Sequence, residues 1–130
     1  MDEPSSPHRF ASVDSVPSQQ LMAGIRARPL HGSDLTLAVV ELDPGLHMPE
    51  HRHVNEQAGI VLRGEFTFTI NGETRVLRPG DSYMIPSGLP HSVEASGPDG
   101  CTVIDIFSPP RNDWASIALD EPSPGRWPER

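Results

Sequence analysis

The chain has 130 residues, enough for one ordinary domain and too few for two independent cores of normal size, so a second catalytic domain is not expected. Fifteen Pro and eleven Gly against seven aromatic residues exclude a helical bundle and favour short segments joined by turns. The formal charge of −8 repels a phosphate backbone and sets nucleic acid aside as a partner, and with no run of eighteen apolar residues a membrane span is not expected.

From the start, Met1-Asp2-Glu3-Pro4-Ser5-Ser6-Pro7 carries neither a basic region nor an apolar run, which predicts a soluble, cytoplasmic protein. Residues 1–20 are rich in Pro, Ser and charge and read as a flexible N-terminal segment. Phe10 to Val16 is its candidate for an added strand. The central region, 21–114, holds apolar runs of strand length fenced by Gly, Pro, Asn or Asp: Leu35 to Leu42, Gly59 to Leu62, Phe66 to Ile70, Val76-Leu77, Tyr83 to Ile85 and Thr102 to Phe107. Phe66, Phe68 and Ile70 alternate with Thr67 and Thr69 and lead into Asn71-Gly72, a pair suited to the two positive φ angles of a type I′ turn; this predicts a hairpin returning through Thr74 to Arg78. Many short antiparallel strands suit an all-β, closed double-sheet roll, which removes exposed edges. Residues 115–130 read as a C-terminal tail in which Trp127, between prolines, is a mobile residue or docks on the domain. The lone Cys101 cannot form an intrachain disulfide and reads as a small buried hydrophobe in a reducing compartment.

Histidines two apart on a strand point to one face, so His51 and His53 can present two imidazoles to a single point, and a metal ion is the obvious occupant. Asp105 stands in a strand whose two faces are mainly apolar. A buried carboxylate is costly unless it is paired or bound, so it needs a structural partner or a function. Alternation places Asp105 and Phe107 on one face. Arg111, after Ser108-Pro109-Pro110, can curl back so that Asp105 and Arg111 meet at one pocket, as a functional pair or as a structural ion pair. Of Tyr83 and Met84, one is expected to line that pocket; His47 reads as a neighbour of the site or a surface residue, and His31 as a solvated turn residue.

The wider spacing carries a resemblance. Gly45, five residues, His51-x-His53, three residues, Gln57, six residues, Gly64 reproduces the first cupin motif, and Gly80, five residues, Pro86-x-Gly88, two residues, His91 the second. The chain therefore resembles a single-domain cupin, which implies a jelly-roll β-barrel with a metal held by His51, His53, Gln57 and His91. The family's usual glutamate ligand is replaced by Gln57; Glu56 stands one residue early and would need a bulge to reach the metal. Ala95 replaces an asparagine expected four residues after His91. A neutral first shell leaves a divalent ion a stronger Lewis acid, which favours polarising a substrate oxygen over dioxygen chemistry. An imidazole-rich site accepts Zn, Ni, Fe, Co, Cu or Mn.

The segment Asp105 to Asp113 resembles more than the superfamily at large. It is similar to the closing segment of pectin-degradation cupins that linearise unsaturated uronates, and the likeness runs from about Gly24 to Trp114. It implies catalytic roles for Asp105, Phe107 and Arg111, a sugar acid as substrate, and ring opening of a 4,5-unsaturated monouronate to a linear keto-uronate. Alternatives are another metal-cupin enzyme, such as a polyketide-type cyclase or a small dioxygenase, and a non-enzymatic sugar-binding cupin, whose regulatory version is weakened because no DNA-binding segment accompanies it here. Pairing through outer strands, common in the family, implies a homodimer.

Overall fold

The computed structural model describes residues 8–129; Met1–Pro7, the start of the predicted flexible segment, lie outside the described residues, as does Arg130. Eight strands carry the architecture: β1 (Gln19–Met22), β2 (Ile25–His31), β3 (Thr36–Leu42), β4 (Met48–His51), β5 (Glu56–Ile70), β6 (Glu73–Leu77), β7 (Ser82–Ile85) and β8 (His91–Ser108). All their pairings are antiparallel. Two 3₁₀ turns, Val13–Ser15 and Asn112–Ser116, supply the helical content of the described residues, and no helix is long and apolar enough to cross a membrane.

The longest strands, β5 and β8, pair with each other through both halves of the barrel. In one half the order is β1-β2-β3-β8-β5-β7; in the other the remaining lengths of β8 and β5 lie between β4 and β6. The register shifts near Val61/Arg63, Gly64/Phe66 and Thr67/Phe68 mark where β5 bends from one half to the other, as extra residues in a ladder do. Gly64 sits at this corner with φ +72°, and a methyl group there would overlap the Gly100 carbonyl oxygen, so the corner requires glycine.

Period-2 burial builds the core: Thr36, Ala38, Val40 and Leu42 of β3 point inward and pack with Val61, Phe66, Phe68, Val93 and Val103, while Leu37, Val39 and Glu41 point outward. The predicted hairpin closes at Ile70 opposite Glu73, with Asn71 at φ 48° and Gly72 at 83°. The predicted runs at Gly59–Leu62 and Phe66–Ile70 are parts of one strand, and Thr102–Phe107 is the last third of β8. Strands β1, β2 and β4 were not among the predicted runs. In β2 the signal is broken by Arg26, Arg28 and Pro29, but Pro29 lies beyond the stretch paired with β1, where a missing N–H costs no ladder bond.

Within Phe10 to Val16 the chain forms a 3₁₀ turn, and it is β1, three residues later, that adds to a sheet edge. The stretch predicted as a C-terminal tail makes specific contacts in its described part. The outward side chains Arg26, Arg28 and Glu41 supply the partners: Asp120 pairs with Arg26 at 2.5 Å, Arg28 is ion-paired with Glu41 and donates to the Ser123 carbonyl at 3.3 Å, and the Arg126 amide donates to Glu41 at 3.0 Å.

Burial works to raise the Glu41 pKa, but the hydrogen bonds and charges of Arg28 and Arg126 outweigh it and hold the carboxyl below its ordinary 4.5. A folded-state pKa below the unfolded one contributes stability that is present above about pH 4.5 and lost as the pH falls through the folded value. Glu41→Gln is expected to lower the melting temperature by about 2–4 °C near neutral pH, a deficit that shrinks as the pH falls below about 4.5 through the folded-state pKa. Equal deficits near neutral pH and below that pKa in a thermal unfolding series contradict this.

Candidate functional site

The register of the long strands converges a set of polar side chains on the barrel interior. His51 at the end of β4 faces His91 at the start of β8, and Gln57 of β5 lies between Ile85 of β7 and Phe107 of β8. Two residues further along β5, Gly59 lies between Tyr83 and Asp105. His51, Gln57, Tyr83, His91, Asp105 and Phe107 line a cavity of about 320 Å³, within the size range of small-molecule sites.

The candidate ligand atoms of His51, His53 and His91 all lie within 4.8 Å of one another. The Nδ1 atoms of these rings face the backbone carbonyls of Pro49, Asn55 and Leu89 at 3.1, 3.0 and 2.9 Å respectively. A carbonyl only accepts, so each Nδ1 carries the proton and each Nε2 is left with a lone pair, the form a metal binds. His91 Nε2 is buried without a hydrogen-bond partner. His53 Nε2 lies 3.1 Å from Gln57 Oε1, which sets two acceptors against each other, an arrangement that a cation between them relieves. Burial above all, with the Arg111 charge, pushes His91 down to about 4 and lowers His53, so both rings are neutral near pH 7. The donor set fits a divalent metal ion. Glu56, the other residue considered, is exposed on the opposite face of the strand, and no bulge falls between it and Gln57.

Asp105, Phe107 and Arg111 line the same cavity. Asp105 is buried, and its Oδ1 accepts a 2.5 Å hydrogen bond from the Tyr83 hydroxyl. Burial pushes its pKa up to about 6, opposed by the Tyr83 and Gln57 hydrogen bonds and the Arg111 charge, so both protonation states are accessible near neutrality. Burial first, then the Asp105 charge, raises Tyr83 well above its usual value and keeps it a donor.

The expected meeting of Asp105 and Arg111 takes another form. Arg111 makes its ion pair with Asp113, at 2.9 Å, through two nitrogens of the guanidinium. Its guanidinium also lies 4.8 Å from the ring centres of both Phe107 and Trp114, two rings that meet edge-on at 5.3 Å and together form the apolar corner it rests against. The turn after β8 does this: the Arg111 amide donates to Thr36 Oγ1 at 2.9 Å, so the chain folds back at once and brings Asp113 and Trp114 beside Arg111.

Of the other residues considered, Tyr83 lines the cavity while Met84 is 60% exposed on the outer face. His47 lies away from the imidazole cluster against the Glu94 carbonyl, and Cys101 is fully buried. His31 is not simply solvated: its Nδ1 contacts Thr36 Oγ1 at 2.7 Å and its ring meets Trp114 edge-on. The sequence reading missed Asp113 and Trp114 as site residues; the available signal was their spacing of two and three from Arg111, which a tight turn makes contiguous.

The chain is 34% identical over 108 residues to the pectin degradation protein KdgF of Dickeya dadantii, covering 82% of this chain and 97% of that protein. It superposes on the structure of KdgF from Halomonas sp. with a TM-score of 0.75 and 31% identity, over 82% of this chain and 97% of the other. It is also 34% identical over 113 residues to the HTH-type transcriptional regulator PuuR of Escherichia coli, covering 83% of this chain but 60% of the regulator's length. The family model described as cupin domain matches residues 38–107, more than half of the sequence, and the chain belongs to the cupin family.

Proposed function

We propose that this cupin is a metal-dependent enzyme that opens the ring of a 4,5-unsaturated monouronate to give the linear keto-uronate. The observation that carries this reading is the presence, in one cavity, of the three-histidine cluster and of Asp105, Phe107 and Arg111. The resemblance to KdgF supports the choice of a sugar acid. His51, His53 and His91 would hold the metal, with Gln57 offering its amide oxygen; a metal bound there polarises sugar oxygens as a Lewis acid. The reaction is an isomerisation, so a group that takes a proton from the substrate must return one. Asp105, buried and able to hold either state, fits that role. Arg111, fixed by Asp113 and the two rings, would pair with the substrate carboxylate, and Phe107 would form an apolar wall.

A second reading, binding without conversion, is favoured by the likeness to the regulator PuuR. A saturable ligand that is never turned over, even with stoichiometric metal, would select it.

The same reading includes a homodimer through the outer face of the β1-to-β7 half. Cross-strand rows on this face place Met84, Ala58, Ile106 and Leu37 side by side, and beside them Ile60, Ile104 and Val39. Met84, Leu37, Ile60, Ile106 and the adjoining Leu35 are exposed. The patch is on the order of 400 Å², within the range of the largest patch on a typical monomer, which is often functional, and about half of what each partner contributes to a standard interface. The C-terminal stretch covers the charged row at Arg26 and Glu41. A second copy suits the apolar rows because two pleated apolar sheets stack face to face, and a chain of charge −8 approaches its like most easily where the rows hold no carboxylate.

Metal-loaded protein added to 4,5-unsaturated galacturonate should speed the loss of the conjugated enol ether's ultraviolet absorbance at least about tenfold over the spontaneous rate, and chelation should abolish the gain. No acceleration with metal present contradicts the assignment. Asp105→Asn should retain metal and lose turnover by about 10²–10⁴-fold; full activity in that variant removes Asp105 from the chemistry. Small-angle scattering at micromolar concentration should give a dimer that Ile106→Glu converts to monomer, whereas a monomeric wild type excludes the proposed interface.

A further inference from the structure

Tyr83 is a half-buried titratable group, packed against the core, that the reaction as described does not use, and its surroundings are built in an unusual way. Tyr83, Gly59 and Asp105 are register partners on three adjacent strands, β7, β5 and β8, and the side chains of Tyr83 and Asp105 line the cavity. Next-but-one strands are about 10 Å apart, too far for most side chains to touch across a filled middle position. Here the middle position has no side chain. The phenol lies across Gly59, and its hydroxyl reaches Asp105 Oδ1 at 2.5 Å. A methyl group on Gly59 would overlap the Tyr83 ring, its hydroxyl and the Asp105 carboxylate together. Gly59 has no positive φ angle, so backbone conformation does not call for glycine at this position; the space is what the phenol and the carboxylate occupy. The ring is held from its other sides by Phe68 and Phe66, with centroids at 5.1 and 6.0 Å.

We infer that Tyr83 and Gly59 are positioning residues for Asp105: the phenol, seated in the gap at Gly59, ties down one carboxylate oxygen and fixes the plane in which the other is presented to the substrate. This rests on the proposed role of Asp105. The Gln57 amide also hydrogen-bonds this carboxylate, so the phenol is the second anchor that fixes its plane, and proton transfer loses efficiency as alignment is lost. An aromatic residue that only fills the core would need its ring there but not its hydroxyl.

Tyr83→Phe separates these roles, because it keeps the ring and removes one oxygen. With 4,5-unsaturated galacturonate as probe, the variant should lose about 10–100-fold in kcat with KM within about twofold of wild type, and its bound metal per chain should be unchanged. Gly59→Ala should lose as much, and adding Tyr83→Phe to it should cost nothing further, since the phenol is already displaced. A crystal structure of Tyr83→Phe should show the Asp105 carboxylate rotated from its position. Wild-type kcat in Tyr83→Phe, while Asp105→Asn is inactive, overturns the positioning role and leaves the proposed reaction standing. A wild-type protein that fails to convert the probe instead removes the reaction, and with it the use of the aimed oxygen. In that case the crystal structure still decides the holding role: an unmoved carboxylate in Tyr83→Phe overturns it.

Discussion

β5 and β8 pair along almost their whole lengths, and the position of each interior polar group depends on that register. It sets Gln57 beside Phe107 and Gly59 beside Asp105 in one half of the barrel, and brings His91 to the end of the ladder in the other, where β4 delivers His51. Because side chains alternate with period two, a slip of one residue would turn Gln57 and Asp105 outward and Glu56 and Ile106 inward. The bend at Gly64 keeps both halves in register through the corner; this close approach to Gly100 leaves no room for a side chain.

The site that results has a division of labour by depth. At one side, three imidazoles turn their Nε2 lone pairs to a common point while backbone carbonyls occupy their Nδ1 protons. At the other, Arg111 is held against the adjoining rings of Phe107 and Trp114 by its pair with Asp113. Asp105 lies between these in the chain of contacts, reached by the Arg111 charge on one hand and the Tyr83 hydroxyl on the other. Gln57 connects the two regions: its side chain hydrogen-bonds Asp105 and its amide oxygen faces His53. An amide can donate on one side and accept on the other, whereas a glutamate here would set a second carboxylate against Asp105. The departure from the family's usual acidic ligand thus has a local cause.

Much of this was legible in the sequence, and the limits have physical reasons. The hairpin at Asn71-Gly72 was readable because positive φ angles restrict residue type, and the histidine set because motif spacing constrains it; strand alternation does not apply, since β4 ends at His51 and His53 lies in the loop that follows. β2 was hidden because Pro29 and two arginines break an apolar run, and its strand character comes from pairing with β3 rather than from local preference. The choice of Asp113 over Asp105 as the ion-pair partner of Arg111 depends on a turn of five residues whose closure follows from the distant Thr36 hydroxyl. The Tyr83 to Asp105 contact spans three strands, so no local pattern encodes it; only Gly59, a glycine inside an apolar strand, hinted at a close approach. The partners of the C-terminal stretch likewise come from residues some 85 to 95 positions earlier, Glu41 and Arg28.

Anomalous diffraction from crystals of the protein equilibrated with one transition metal tests most directly whether the imidazole cluster is a metal centre. The expected result is a single strong peak within bonding distance, about 2.0–2.2 Å, of the Nε2 atoms of His51, His53 and His91 and of Gln57 Oε1. Absence of a peak between these atoms, with the metal in excess over the chain, would contradict it.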